Sequence, residues 1–149
     1  MRFMMIVLPK KYETAPADAM PDAEMVGPMD RYNAKLMKAG VVLAMDGLHP
    51  PSTGARVTFP GGKPVVKDGP FPEAKEVVGG YWMIDVKSRA AAIAWAKKCP
   101  GNEDMTIEIR QVQEWDDFTP EVQAAAKNEP EIRKALAKKR KKATKKKRK

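Results

Sequence analysis

The chain has 149 residues, which is enough for one domain with a core of its own. Its net charge of +9 is uneven: 16 basic and 19 acidic residues before position 133 give −3, and 12 basic residues from Arg133 onward give +12. With one cysteine and one histidine, the chain can form neither an intrachain disulfide nor a His/Cys metal cluster, so we predict no structural zinc. No apolar run approaches the roughly 18 residues of a membrane span, so we predict a cytoplasmic protein.

The first 40 residues predict a strand followed by a helix. Residues 2–8 are continuously apolar, which is typical of a central strand buried on both faces. Gly40 ends the helix, and Gly27-Pro28 interrupts it, so the helix either begins at Pro28 or is kinked there. One face of this helix carries apolar residues at spacings of four, three and four: Met25, Met29, Tyr32 and Leu36.

The next segment predicts a second strand and a hairpin. The strand covers residues 41–48 and leads into a loop at 49–52, which two prolines stiffen. Residues 56–59 and 64–67 flank Gly61-Gly62, a pattern that indicates a β-hairpin.

The second half repeats the strand-helix-strand order. Residues 77–86 predict a strand in which alternation puts Trp82, Ile84 and Val86 on one face. Ser88 is a suitable N-cap for the Ala-rich helix that follows, to Lys98. Residues 105–115 form the last strand of the domain. The order β-α-β, hairpin, β-α-β predicts an α+β, ferredoxin-like βαββαβ fold with an inserted hairpin, in which two helices pack on an antiparallel sheet.

The C-terminal part predicts a short helix and a cationic tail. Thr119-Pro120-Glu121 begins a helix to Lys127, so we place the domain at 1–127 and the tail at 128–149. Ala, Lys and Arg dominate beyond Pro130, and this composition allows nascent helix. Because like charges packed so densely repel, we predict disorder from about residue 138.

Several motifs resemble the YCII-related family, specifically its DGPF branch, over roughly residues 1–115. The motif that names the branch is Asp68-Gly69-Pro70-Phe71. The other matching segments are residues 47–53, residues 79–81, and the stretch from Ala94-Trp95-Ala96 to Cys99-Pro100. The resemblance implies a ferredoxin-like domain that forms a homodimer by joining sheets, as in dimeric α/β barrels. It also implies a histidine and aspartate pair in those relatives that are enzymes.

These motifs predict a small-molecule site between the 49–52 loop, the 68–71 turn and the 79–81 strand start. Asp68 is the candidate base or orienting group and His49 the candidate proton shuttle, for isomerase-like or lyase-like chemistry. In the alternative interpretation Asp68 only caps its turn, His49 and Glu76 are exposed, and Gly79-Gly80 admits another backbone rather than a ligand. The candidate ligand-binding residues are Ser52, Phe71, Glu76, Gly79, Gly80 and Tyr81.

The basic tail predicts a second function class, a noncatalytic regulatory or interaction module. It lacks aromatic residues and any base-reading scaffold, so its nucleic-acid binding would be sequence-independent and salt-sensitive, unless it is only a solubilising appendage. No phosphate-cradling glycine pattern occurs, so neither a nucleotide cofactor nor a metal is predicted. The tail residues concerned are Lys138, Lys139, Arg140, Lys141, Lys142, Lys145, Lys146, Lys147, Arg148 and Lys149.

Overall fold

A computed structural model describes the backbone of residues 1–146 and the side chains of residues 1–140. Its contacts divide the chain into two units, Met1–Gln111 and Val112–Lys149. This division falls earlier than the boundary that the sequence places after residue 127. Lys147, Arg148 and Lys149 of the predicted tail site lie outside the described residues.

The first unit alternates strands and helices in the predicted order. Its elements are β1 (Arg2–Pro9), α1 (Ala23–Lys38), β2 (Val42–Gly47), β3 (Ala55–Thr58), β4 (Val65–Asp68), β5 (Gly80–Asp85), α2 (Arg89–Ala96) and β6 (Met105–Gln111). Single 3-10 turns lie between some of these elements, at Tyr12–Thr14, Pro51–Thr53 and Pro60–Gly62.

Four strands form one sheet in the order β2-β5-β1-β6, and every neighbouring pair is antiparallel. In this order the two halves of the chain interleave, with β1 and β5 at the centre. The β3–β4 hairpin forms a separate two-stranded sheet. The predicted ferredoxin-like α+β fold with an inserted hairpin is therefore confirmed.

The sheet buries one face. Phe3 and Met5 of β1 are buried, whereas Met4 and Ile6, which alternate with them, are only partly buried. The predicted burial of β1 on both faces is thus not found within a single chain, because both helices lie on one side of the sheet and a continuous apolar run does not reveal this. The buried cluster on the helix side contains Phe3, Met5, Tyr32, Leu36, Trp82, Ile84, Val86 and Ala92.

Two helix starts show how local capping works in this fold. Ser88 caps α2 as predicted, since its Oγ accepts a hydrogen bond from the Ala91 amide at 3.1 Å. Helix α1 begins at Ala23, five residues before Pro28, so of the two predicted alternatives the start at Pro28 is wrong. Asp22 provides the cap, accepting from the Glu24 amide at 2.9 Å, and Pro28 lies inside the helix.

The second unit contains α3 (Pro120–Ala125) and α4 (Glu129–Lys146) after a 3-10 turn at Trp115–Asp117. The predicted last strand at 105–115 is thus too long, since β6 ends at Gln111. Gln123 Nε2 donates to the carbonyls of Trp115 and Phe118 at 3.0 and 3.1 Å, which ties α3 to the preceding turn.

Helix α4 continues into the predicted disordered region. It reaches Lys146, whereas the sequence predicts disorder from about residue 138. Ala, Lys and Arg all have high helix propensity, and here that preference prevails over the repulsion between like charges. No helix among residues 1–146 is both long and apolar enough to span a membrane.

Candidate functional site

The 68–71 turn packs directly against the loop at 49–54. The Gly69 amide donates to the Gly54 carbonyl at 2.8 Å. A Cβ atom on Gly69 would overlap the Pro51 carbonyl oxygen and lie 2.6 Å from the Pro51 carbonyl carbon. Glycine is therefore required at position 69 by a close approach of two backbone segments, and this contact needs no ligand.

The aromatic residue of this turn is also part of the packing. Phe71 is buried, and the Arg56 guanidinium lies 4.0 Å from the centre of its ring. Glu73 accepts from Lys67 Nζ at 2.7 Å, and this hydrogen bond lowers the pKa of the Glu73 carboxyl. Asp68, the last residue of β4, is exposed and pairs with Ala55 in the hairpin.

The hydroxyl groups of the 49–54 loop bond to nearby carbonyls. Ser52 Oγ donates to the Ala15 carbonyl at 3.0 Å, and Thr53 Oγ1 donates to the Pro50 carbonyl at 2.9 Å. Pro50 is buried. The side chain of Ser52, predicted to bind a ligand, thus joins this loop to the segment before α1.

The glycine pair at the start of β5 lies close to other parts of the chain. A Cβ atom on Gly79 would lie 2.7 Å from Pro9 Cγ, and one on Gly80 would lie 2.9 Å from the Asp46 carbonyl oxygen. For Gly80 this geometry agrees with the alternative that the glycines admit another backbone, whereas Gly79 admits the ring of Pro9.

The same glycines also line a cleft of about 530 Å³. Besides Gly79 and Gly80, its walls include Val7, Pro21, Met29, Asn33, Met45, Asp46, Gly47, Tyr81 and Trp82. A recess of about 390 Å³ adjoins it, shares Val7, Pro21, Gly47 and Gly79, and includes His49. The structure therefore brings together four of the predicted site residues: His49, Gly79, Gly80 and Tyr81.

The other predicted residues lie elsewhere on the first unit. Asp68, Ser52, Phe71 and Glu76 line neither the cleft nor the adjoining recess. Glu76 is exposed on the segment before β5. The structure thus does not place Asp68 with His49 in this cleft.

Asp46 is a polar residue at the edge of the cleft that the sequence did not predict, and its side chain lies with that of Tyr81 on the sheet face opposite the helices. The Tyr81 hydroxyl donates to Asp46 Oδ2 at 2.9 Å, and this hydrogen bond raises the pKa of Tyr81. The two residues are directly opposite each other in the β2–β5 ladder. A carboxylate in a strand beside Gly47 is the only sequence signal, and it becomes informative only when the strand pairing is known.

Two further polar contacts position the walls, and sequence reasoning missed both. Trp82 Nε1 donates to Asn33 Oδ1 at 2.9 Å, which connects β5 to α1. The Tyr12 hydroxyl donates to the Leu48 carbonyl at 2.7 Å, and burial raises the pKa of Tyr12. The walls of the cleft and recess are therefore held by hydrogen bonds that the folded chain makes itself.

Within the described residues, no group of three or more His, Cys, Asp or Glu side chains is arranged to hold a metal ion. No curated protein gives a significant match to the chain. The sequence model of the YCII-related domain matches residues 1–116, which contain the whole four-stranded sheet, the hairpin and the cleft. The chain therefore belongs to the YCII-related domain family.

Proposed function

We propose that this YCII-related domain binds a small molecule in the cleft between α1, β2 and β5. The observation that carries this proposal is the combination of apolar walls with a hydrogen-bonded polar pair on the helix side, Asn33 and Trp82, in a volume of about 530 Å³. Ligand sites are typically concave and mostly apolar, with a few polar groups that orient the ligand.

Proton transfer is the chemistry that we propose for this site, in the manner of an isomerase or lyase. His49 lines the adjoining recess beside Gly79, and an imidazole can accept a proton and return it near neutral pH. Asp68, the other residue of the predicted pair, would need to act from outside the cleft. The supporting geometry therefore concerns His49 and not Asp68.

The binding proposal is tested by filling the cleft. A Cβ atom on Gly47 meets no heavy atom within 4 Å, so Gly47→Phe places a ring in the cleft without a clash at the backbone. We expect fragments from a small-metabolite collection to shift the Trp82 indole NMR signal in the original chain and not in Gly47→Phe. Trp95 and Trp115 provide internal reference signals.

The control for this experiment is Val66→Phe, which adds a ring at a strand position that is 64% exposed and outside the cleft. It should retain every fragment response. Fragments that shift Trp82 equally in Gly47→Phe would contradict the proposal, as would a collection that leaves the Trp82 signal unchanged in the original chain.

We also propose that the protein is a homodimer in which the open sheet faces of two copies meet, as in a dimeric α/β barrel. Met4, Ile6 and Met83 support this, because they alternate with buried residues and lie on the face opposite the helices. Light scattering should give twice the chain mass of 16.5 kDa. Met83→Glu should give the monomer mass, whereas Met37→Glu, on an exposed position of α1, should not.

A second candidate function is sequence-independent nucleic-acid binding by the basic tail. The observation in its favour is that α4 is a continuous helix to Lys146 and that Lys138 and Lys139 are exposed on it. Lysines on a regular helix can neutralise neighbouring phosphates and release counterions. The tail would then hold the domain near nucleic acid without reading its sequence.

A further inference from the structure

The amide of Asn33 has a fixed orientation in the cleft. Trp82 Nε1 donates to Asn33 Oδ1 at 2.9 Å, and an indole nitrogen can only donate, so the oxygen of the amide is the atom held by Trp82. Both residues line the cleft, and Asn33 also lines a recess of about 320 Å³ beside it. The two N–H groups of the amide therefore belong to a side chain that borders both cavities.

These N–H groups are not used by the fold. No described residue accepts a hydrogen bond from Asn33 Nδ2. Among the described residues that are not exposed, every buried side-chain nitrogen or oxygen has a hydrogen-bond partner. Asn33 is partly buried, so its Nδ2 atom is accessible rather than enclosed. It can thus donate to a ligand without breaking a contact within the chain.

The charges near this amide favour an uncharged ligand. Neither lysine nor arginine occurs among the described residues that line the cleft, the smaller recess or the recess that contains His49. An anionic ligand would therefore lack a cationic partner, and Asp30 in the smaller recess would repel it. An ammonium group could approach Asp30, but it has no lone pair with which to accept from Asn33.

The walls around the amide are mainly apolar. Met29 lines both the cleft and the smaller recess, where Met25 also lies. Met45 lines the cleft and is opposite Trp82 in the β2–β5 ladder, which places it on the helix side of the sheet. Methionine side chains are flexible and polarizable, so they adapt to an apolar group of varied shape. The apolar walls and the amide donors thus lie on the same side of the sheet.

We propose that the ligand of this cleft is an uncharged carbonyl compound with an apolar body, such as a ketone or an ester, whose carbonyl oxygen accepts a hydrogen bond from Asn33 Nδ2. This inference rests on the proposed function, since it names the ligand class of the same cleft. The methionine side chains contact the apolar body, and the amide orients the carbonyl group.

The test uses the full chain and three probes with six carbon atoms each: hexan-2-one, hexylammonium and hexanoate. Hexan-2-one can only accept a hydrogen bond, hexylammonium can only donate, and hexanoate accepts but is charged. We expect hexan-2-one to bind about three- to tenfold more tightly than either of the others, as measured by the Trp82 indole NMR signal. The side-chain amide signals of Asn33 should shift with hexan-2-one, and those of Asn102 and Asn128 should not.

Asn33→Asp exchanges the donors for an acceptor. An aspartate keeps an oxygen for the Trp82 indole and replaces the NH2 group with a second, charged oxygen. We expect the order of affinities to reverse, with hexylammonium binding more tightly than hexan-2-one. The matched control is Asn102→Asp, because Asn102 Oδ1 also accepts a hydrogen bond, from the Asp104 amide at 3.0 Å, and lies outside the cleft. It should keep the original order.

The possible failures are distinguishable. If hexylammonium or hexanoate binds the original chain as tightly as hexan-2-one, the ligand class is overturned and the cleft remains a ligand site. Unchanged amide signals of Asn33 in the presence of bound hexan-2-one also overturn it, and this result does not depend on whether Asn33→Asp folds. So does an equal change in Asn33→Asp and Asn102→Asp.

A complete lack of response is also informative. If no probe shifts the Trp82 signal but fragments from the metabolite collection do, the ligand class is wrong and the proposed function stands. If neither the probes nor the fragments shift it, the proposed ligand site is overturned as well.

Discussion

Gly69→Ala is expected to lower the free energy of unfolding by about 2–3 kcal/mol, because a side chain at this position must displace the backbone of Pro51. A neighbouring backbone cannot rotate away as a flexible side chain can. For a chain of this size, the melting temperature should fall by roughly 4–12 °C. Thermal and urea unfolding, followed by circular dichroism, measure both quantities.

Gly54→Ala is the matched control, since it adds the same methyl group to the segment that contacts Gly69. The Gly54 φ angle is −108°, and an added Cβ atom would lie 3.6 Å from the Pro51 carbonyl oxygen, which is ordinary contact. We expect its stability to stay within about 0.5 kcal/mol of the original chain. Equal stability of the original chain and Gly69→Ala would contradict the packing role of Gly69.

Gly69→Ala also separates two interpretations of the 68–71 turn. If the turn is structural, the variant loses stability, and fragment binding in the cleft falls only in proportion to the fraction of the variant that is unfolded. If the turn contacts a ligand, binding should fall under conditions where the variant is fully folded. The contact with Pro51 and the burial of Phe71 favour the first result.

Replacing Lys138, Lys139, Lys141 and Lys142 with glutamine is expected to weaken binding of the full chain to duplex DNA by at least about a hundredfold at low salt. Each lost phosphate contact should reduce the slope of log affinity against log salt by about 0.9. The total reduction should thus be roughly 3 to 4 if each lysine meets one phosphate. Fluorescence anisotropy at several salt concentrations gives this slope.

The control removes the same number of charges from the first unit, with glutamine at Lys35, Lys38, Lys87 and Lys97, which are all exposed. It should change the slope much less. If both sets of substitutions reduce the slope equally, binding reflects total charge and the tail is not a nucleic-acid site. A similar affinity for duplexes of unrelated sequence is expected in every case.

The fold was predictable because its signals are local. Alternation placed Trp82, Ile84 and Val86 on one face, and all three are buried. The Ser88 cap and the glycines of the hairpin also act within a few residues, where sequence and structure correspond most directly. The misplaced start of α1 has a local cause too, since Asp22 caps the helix and Pro28 is tolerated inside it.

The site was less predictable because it depends on segments that are distant in sequence. Gly69 is a recognisable turn residue, but only the folded chain shows that Pro51 occupies the space of its side chain. The hydrogen bond between Tyr81 and Asp46 forms only because strand β2 lies beside β5, which places the Asp46 carboxylate opposite Tyr81. A single sequence contains no direct signal for either approach.

One irregularity of β2 decides where that carboxylate lies. The pairing shifts between Val42 and Ala44, so Leu43 is an extra residue in the ladder. In an uninterrupted ladder Met45 would be opposite Tyr81, and Asp46 would be opposite Gly80. The bulge is therefore a marker for relatives: a chain of the same length that pairs without it would place the aspartate opposite the glycine, whereas a chain that lacks the extra residue would keep the aspartate opposite the tyrosine.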